Sequence, residues 1–250
     1  MRLRFLPAVT AIGLLAACAA TPTLPASPAY DTAILQATRY KAVLIAGDDS
    51  LPVFDNAVQA MAAAIPPGRL VTAVRLSAAA AAIAEPGVRS ATRDHVLDAI
   101  SGLKPGPGEG CLVFATSHGA LYRGLFLAPS REMLDPAALD RALARGCGNA
   151  PTVVIVSACF SGSFAQAPVA RVNRIILAAS RSDRASFGCS AGREFTVYDD
   201  CLTHAVSSAG QWQTVHTATR QCVAAEETRG GFPPSQPQAS FGNAVSSLGL

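Results

Sequence analysis

The run Thr152–Ser157, T-V-V-I-V-S, is apolar and β-branched and shows no alternation of polar and apolar residues. A strand with one wet face alternates, whereas a strand without alternation is covered on both faces, as in a parallel sheet between helices. Lys41–Ala46 (K-A-V-L-I-A), Leu112–Thr116 and Arg174–Ala179 (R-I-I-L-A-A) have the same character, and Leu70–Leu76 alternates in part. Helical patterns separate them. Phe54, Ala57, Val58, Met61, Ala62 and Ile65 recur at helical spacing before Pro66-Pro67-Gly68. Thr92 is placed as the N-cap of a helix to about Leu103, and Pro136–Arg145 reads as a helix capped by Gly146. Further helices are expected near residues 199–207 and 214–225, and a short strand or hairpin over Leu121–Ala128. Strands alternating with helices predict an α/β fold around a mostly parallel central sheet. At 250 residues and 50% hydrophobic, the chain has material for one main domain.

The N-terminus reads as an export signal. Arg2 and Arg4 precede an apolar stretch, Phe5–Leu15, that is too short for a comfortable membrane span. It ends in Leu15-Ala16-Ala17-Cys18, which resembles the lipobox of bacterial lipoproteins. That resemblance implies a signal peptide over 1–17, acylation of Cys18 and anchoring in a lipid bilayer. Ala19 after the cysteine implies the outer membrane, facing the periplasm. Residues 18–37, with Pro22, Pro25 and Pro28, are expected to be an extended tether, 38–225 the domain, and 226–250 a largely disordered tail in which Ala239–Leu250 is the part able to dock back. Removing Arg2 and Arg4 from 20 Lys and Arg leaves 18 against 17 Asp and Glu, a balance of +1. A nearly neutral domain has no basic field for nucleic acid.

Export makes disulfides the expected state of cysteines without another task. Cys111 and Cys147 stand just before the runs at Leu112 and Thr152, so adjacent parallel strands bring them together. For the remainder, a Cys189–Cys201 bridge with Cys222 left over competes with a zinc site from Cys189, Cys201, His204 and Cys222. The latter lacks paired C-x-x-C spacing.

The apolar runs at Leu112 and Thr152 end alike. One delivers Ser117-His118-Gly119, and the other delivers Cys159 into Phe160-Ser161-Gly162. Ligands gather beyond the carboxyl ends of parallel strands. A thiolate nucleophile there needs a neighbouring base, and His118 on an adjacent strand end supplies one. The N–H groups of Gly119 and Cys159 are candidate donors to a developing oxyanion.

S-H-G at Ser117–Gly119, S-A-C-x-S-G at Ser157–Gly162, and Ala178-Ala179 leading to Ser186-Phe187-Gly188-Cys189 resemble the legumain-type cysteine peptidases. That group includes asparaginyl endopeptidase and the catalytic subunit of glycosylphosphatidylinositol transamidase. The resemblance spans roughly Lys41–Ser208 and implies a caspase-like three-layer sandwich. It implies a Cys159/His118 dyad, an oxyanion hole from Gly119 and Cys159, an acyl-enzyme, a peptide or protein substrate and no cofactor or metal. Asp55, Ser186 and Asp199 fall at substrate-binding positions by the same resemblance. The Arg-His pair of the family's pocket is replaced by Asp55-Asn56, and the acidic residue after the catalytic cysteine by Phe160. Asparagine specificity is therefore not carried over. Asp55 and Asp199 together would favour a basic P1 residue, unless both are ordinary solvated loop aspartates. The altered pocket also leaves a second reading, a catalytically inactive fold kept as an envelope binding or assembly module. A serine hydrolase is disfavoured because the candidate nucleophile at the strand end is a cysteine.

Overall fold

The computed structural model describes Met1, residues 35–37 and residues 39–250. The chain divides into two units, Met1–Asp31 and Thr32–Leu250, and the second contains every strand and helix described below. The signal peptide over 1–17, Cys18 and the tether as far as residue 34 lie outside the described residues.

Each apolar run is a strand, and each helical pattern a helix, in the order β1 (Arg39–Ala46), α1 (Val53–Ala64), β2 (Leu70–Ser77), α2 (Ala80–Ile83), β3 (Val88–Ser90), α3 (Arg93–Ser101) and β4 (Glu109–Thr116). There follow β5 (Gly119–Ala120), β6 (Gly124–Leu127), β7 (Glu132–Leu134), α4 (Pro136–Cys147), β8 (Thr152–Ser157), β9 (Arg174–Ala178), α5 (Val197–Ser208), α6 (Trp212–Gly230) and β10 (Gln238–Phe241). Seven strands form the main sheet in the order β10-β9-β8-β4-β1-β2-β3. All of its pairs are parallel except β10 on β9. A small antiparallel sheet, β5-β6-β7, follows β4 directly.

Neighbouring side chains on a strand point to opposite faces, which is how one sheet serves two cores. Ala42, Leu44, Leu112, Phe114, Val153 and Ile155 join one core with α1, α5 and α6. Val43, Ile45, Val113, Ala115, Val154 and Val156 join the other with α3 and α4. The result is the three-layer α/β sandwich with a mostly parallel sheet that the unalternating runs require. Gly146 is not a cap, because α4 continues through it to Cys147. A Cβ there would lie 1.9 Å from the Ile100 carbonyl oxygen. The residue is needed for the close approach of α3 and α4 rather than for a turn.

Residues 226–250 differ from the expected disordered tail. α6 runs on to Gly230, the Glu227 carboxylate accepts from Ser235 N at 3.0 and 3.1 Å, and β10 adds an edge strand to β9. Beyond it, Tyr40 Oη donates to Gly249 O at 2.6 Å, and buried Trp212 Nε1 donates to Tyr40 Oη at 3.1 Å. Pro-rich composition hides this docking, because apolar Ala244, Val245, Leu248 and Leu250 are too few and too scattered to register as an element, yet all are buried. At the other end Ala37 is buried and Leu35 N donates to Ala244 O at 2.7 Å, so the domain begins before residue 38.

The Cys111–Cys147 bridge forms and ties α4 to β4. The second bridge joins Cys201 of α5 to Cys222 of α6, which corrects the Cys189–Cys201 pairing. Helices α5 and α6 pack along each other, so their facing cysteines meet while Cys189 lies in the loop before α5. The same bridge takes Cys201 and Cys222 out of any zinc site.

One ion pair is enclosed where α4 crosses β9. Arg174, 1% exposed, donates from Nη1 to Asp140 Oδ1 at 2.7 Å and to Val169 O at 3.0 Å, and Arg171 Nη2 reaches Asp140 Oδ2 at 2.6 Å. Breaking a buried pair strands a charge, whereas replacing both partners with apolar groups removes the problem. Asp140→Ala is therefore expected to lower the unfolding free energy by about 3–5 kcal/mol in urea titration, and Asp140→Leu with Arg174→Met to recover most of it.

Candidate active site

The site follows from register. Ala46 of β1 pairs with Thr116 of β4, and Thr116 pairs with Ser157 of β8, so three adjacent parallel strands end level. Two residues beyond each level stand Asp48, His118 and Cys159. Adjacent strands lie about 4.8 Å apart, so the register alone brings a carboxylate, an imidazole and a thiol into one row.

Side-chain and backbone bonds fix each of the three. Ser117 N donates to Ser157 O at 3.1 Å and Ser117 Oγ to Phe126 O at 2.7 Å, which ties the His118 turn to β8 and β6. The Phe54 ring of α1 packs edge-on to the His118 ring, with centroids 5.2 Å apart. After Cys159, Phe160 takes a left-handed conformation, φ 60°, and its N–H donates to Arg184 O at 2.8 Å. The turn is stitched to the end of β9 by Ser161 N on Ser180 Oγ at 3.3 Å and Ser180 Oγ on Ala158 O at 3.2 Å.

His118 and Cys159 line one small cavity with Ser157, Ser186, Cys189 and Thr196. Cys159 Sγ is held by the backbone of Ser186, accepting from its N–H at 3.3 Å and donating to its carbonyl at 3.4 Å. On the other side of His118, Nε2 is 3.3 Å from Ser50 Oγ and 3.8 Å from Asp48 Oδ1. Ser50 donates both its N–H, at 2.8 Å, and its hydroxyl to Asp48 Oδ1. With that hydroxyl proton committed to Asp48, Ser50 Oγ is an acceptor toward Nε2. This assigns the ring proton to Nε2 and leaves the lone pair on Nδ1.

Gly119 directs its amide away from the small sheet. Phe126 N donates to His118 O at 2.9 Å, and Gly119 pairs with Leu125 in the antiparallel β5–β6 ladder. Amides alternate in direction along such a ladder, so the N–H of Gly119 faces away from β6. A Cβ on Gly119 would lie 2.0 Å from Cys159 O, so only glycine lets the histidine turn reach the cysteine turn.

The three substrate-binding positions are distributed differently. Ser186 lines the cavity and meets Cys159 through its backbone. Asp199 at the start of α5 is fully buried, accepting from Thr116 Oγ1 at 2.7 Å and donating its N–H to Thr196 Oγ1 at 3.0 Å. Burial pushes its carboxyl up to about 6, while the Ser157, Thr116 and Thr196 hydroxyls pull the other way. Asp55 belongs to a neighbouring cleft with Asp49, Gln59 and Glu85, where Arg75 Nη2 at 3.0 Å and Ser77 Oγ at 2.7 Å occupy its two oxygens. Asp48, Ser50, Phe54 and Cys189 at or around the site are additions to the sequence reading. The signal for Asp48 was available, since Gly47-Asp48-Asp49-Ser50 closes an apolar run as Ser117-His118-Gly119 does.

Comparison with known proteins bears on the family and the fold. The model of the peptidase C13 family, the legumain family, matches residues 93–227, more than half of the chain, and includes both His118 and Cys159. The crystal structure of caspase-1 from Spodoptera frugiperda superposes with a TM-score of 0.60 over 92% of this chain and 95% of that one, at 12% identity. At that identity the likeness speaks for the fold. No curated protein sequence matches the chain. The chain belongs to the peptidase C13 family of cysteine peptidases and has a caspase-like fold.

Proposed function

We propose that this peptidase cleaves internal peptide bonds through Cys159 and His118, with Asp48 as a positioning residue. The observation that carries the reading is the row of Asp48, His118 and Cys159, each two residues beyond an in-register strand end. Nδ1 of His118 takes the thiol proton as Cys159 Sγ attacks the scissile carbonyl carbon. The carbonyl oxygen then carries the charge and accepts from the N–H groups of Gly119 and Cys159. His118 gives the proton to the departing amine, leaving a thioester on Cys159, and water attacks the thioester by the same route in reverse. While the imidazole holds two protons, the Asp48 carboxylate 3.8 Å from Nε2 stabilises it.

The pocket supports small, uncharged P1 side chains. Ser157, Ala158, Cys189 and Thr196 crowd the cavity beside the thiol, Asp199 lies beneath them without exposure, and both oxygens of Asp55 are occupied elsewhere. Neither aspartate is a solvated loop residue, and neither offers an open carboxylate to a basic P1 group.

We also read the protein as a bacterial lipoprotein of the outer membrane, facing the periplasm and anchored through Cys18. Its support is the Leu15–Cys18 sequence after Arg2, Arg4 and Phe5–Leu15. Two disulfides fit an oxidising compartment. Among the described residues no helix is long and apolar enough to cross a membrane.

A mixed peptide library separates these statements. Cys159→Ala and His118→Ala are each expected to lower kcat/KM by about 10³-fold or more, and Asp48→Asn by about tenfold. Cleavage retained by Cys159→Ala would remove the mechanism, and enrichment of Arg or Lys at P1 would remove the pocket reading. For Asp199, the folded state holds a proton between 3.8 and about 6 that the unfolded chain has released. Stability is therefore expected to fall as pH rises across that window, by about 3 kcal/mol at most, and Asp199→Asn to flatten the profile in urea titrations. Metabolic palmitate labelling is expected on the intact chain and absent from Cys18→Ala, and a wild-type chain that takes up no label would refute the anchor.

A further inference from the structure

Of the six cysteines among the described residues, four are in disulfides and two, Cys159 and Cys189, are free thiols. The two free ones line the same small cavity. The loop between them explains the coincidence. Ser186 clasps Cys159 Sγ with both its N–H and its carbonyl, and the chain then turns through Gly188, φ 99°, with Cys189 next. A Cβ on Gly188 would lie 2.6 Å from Val197 N, so this turn is packed tightly against the start of α5.

Burial pushes Cys189 up to about 12, and negative charge on Cys159, Asp199 and Asp48 adds to it. Cys189 therefore keeps its proton toward peroxide, and gives it up only to the hydroxyl that leaves an oxidised neighbour.

We propose that Cys189 is the resolving partner of Cys159, so that a hydroperoxide converts the pair to a disulfide that blocks the nucleophile and that a thiol reductant reopens. In the first step Cys159 thiolate attacks the peroxide, the O–O bond breaks, and Cys159 sulfenic acid and an alcohol or water leave with one proton taken up. In the second, Cys189 sulfur attacks the sulfenic sulfur. The S–O bond breaks, the S–S bond forms, and the Cys189 proton departs with the hydroxyl as water. Two equivalents of thiol reductant restore both side chains. Without such a neighbour a sulfenic acid in contact with peroxide goes on to sulfinic and sulfonic acids, which are not recovered by thiols. An enzyme whose chemistry depends on one part-buried cysteine is thereby protected by the second cysteine of the same cavity.

The inference rests on Cys159 being the nucleophile, but its test does not need a peptide substrate. The full chain, with Cys159 and Cys189 kept free by glutathione that leaves the two structural disulfides intact, is desalted, treated with hydrogen peroxide, alkylated, and mapped under non-reducing conditions. The expected result is loss of alkylation at both Cys159 and Cys189 with one cross-linked pair of peptides, both reversed by glutathione. In Cys189→Ser and Cys189→Ala, Cys159 is expected to appear as sulfinic and sulfonic acid and to resist glutathione. Persistence of the Cys111–Cys147 and Cys201–Cys222 cross-links in the same maps shows that these variants fold. The proposal is overturned if wild-type Cys159 over-oxidises while Cys189 stays alkylated, or if glutathione restores Cys159 in both variants as fully as in wild type. Failure of the peptidase reading shows separately, as absence of peptide turnover before any peroxide is added.

Discussion

The level ending of β1, β4 and β8 is the constraint on which the rest of the molecule depends. Parallel pairing in register, Ala46 on Thr116 on Ser157, requires nothing of the side chains beyond being apolar on both faces. Once it is in place, the next two residues of each strand come to one edge. A slip of one residue would turn every side chain to the other face, so the two cores hold the register and the register holds the site. The buried sets that alternate along β1, β4 and β8 are thus the reason that Asp48, His118 and Cys159 share a row.

The turns beyond the strand ends convert that row into chemistry. Gly119 removes the side chain that would separate the His118 turn from the Cys159 turn, and its ladder position points its N–H outward. Ser50 uses its hydroxyl proton on Asp48 and so sets which nitrogen of His118 carries hydrogen. The left-handed Phe160 lets the chain bend away immediately after Cys159, with its N–H held by Arg184 O. Each device is a backbone or short-range effect, and each is braced by the small β5-β6-β7 sheet or by the loop that follows β9.

The strands, their parallel order and the pairing of His118 with Cys159 were legible because period and strand-end position are properties of the sequence. The Cys111–Cys147 bridge was legible for the same reason, as it follows from two strands being adjacent. What was not legible depends on packing between distant elements. Cys201 meets Cys222 only because α5 lies along α6, and Ala244, Val245 and Leu248 are buried only because β10 has already joined the sheet. Asp48 is an intermediate case. Its position two residues past an apolar run was visible, but its pairing with His118 depends on β1 lying beside β4 rather than at an edge.

Depth separates the two carboxylates that flank the row. Asp48 accepts both the N–H and the hydroxyl of Ser50, and its Oδ1 lies 3.8 Å from Nε2 of His118. Asp199 lies under the floor, fully buried, and the same absence of water that excludes it from solvent pushes its carboxyl up to about 6. Its charge also opposes ionisation of Cys189. Asp199 is absent from the cavity lining, so its value to the fold is structural. It ties the start of α5 to the end of β4 through Thr116, and through that helix it holds the loop carrying Ser186 and Cys189 against the nucleophile. The carboxylate proposed to assist the reaction lies beside the imidazole at the strand ends, and the one beneath holds the wall in place.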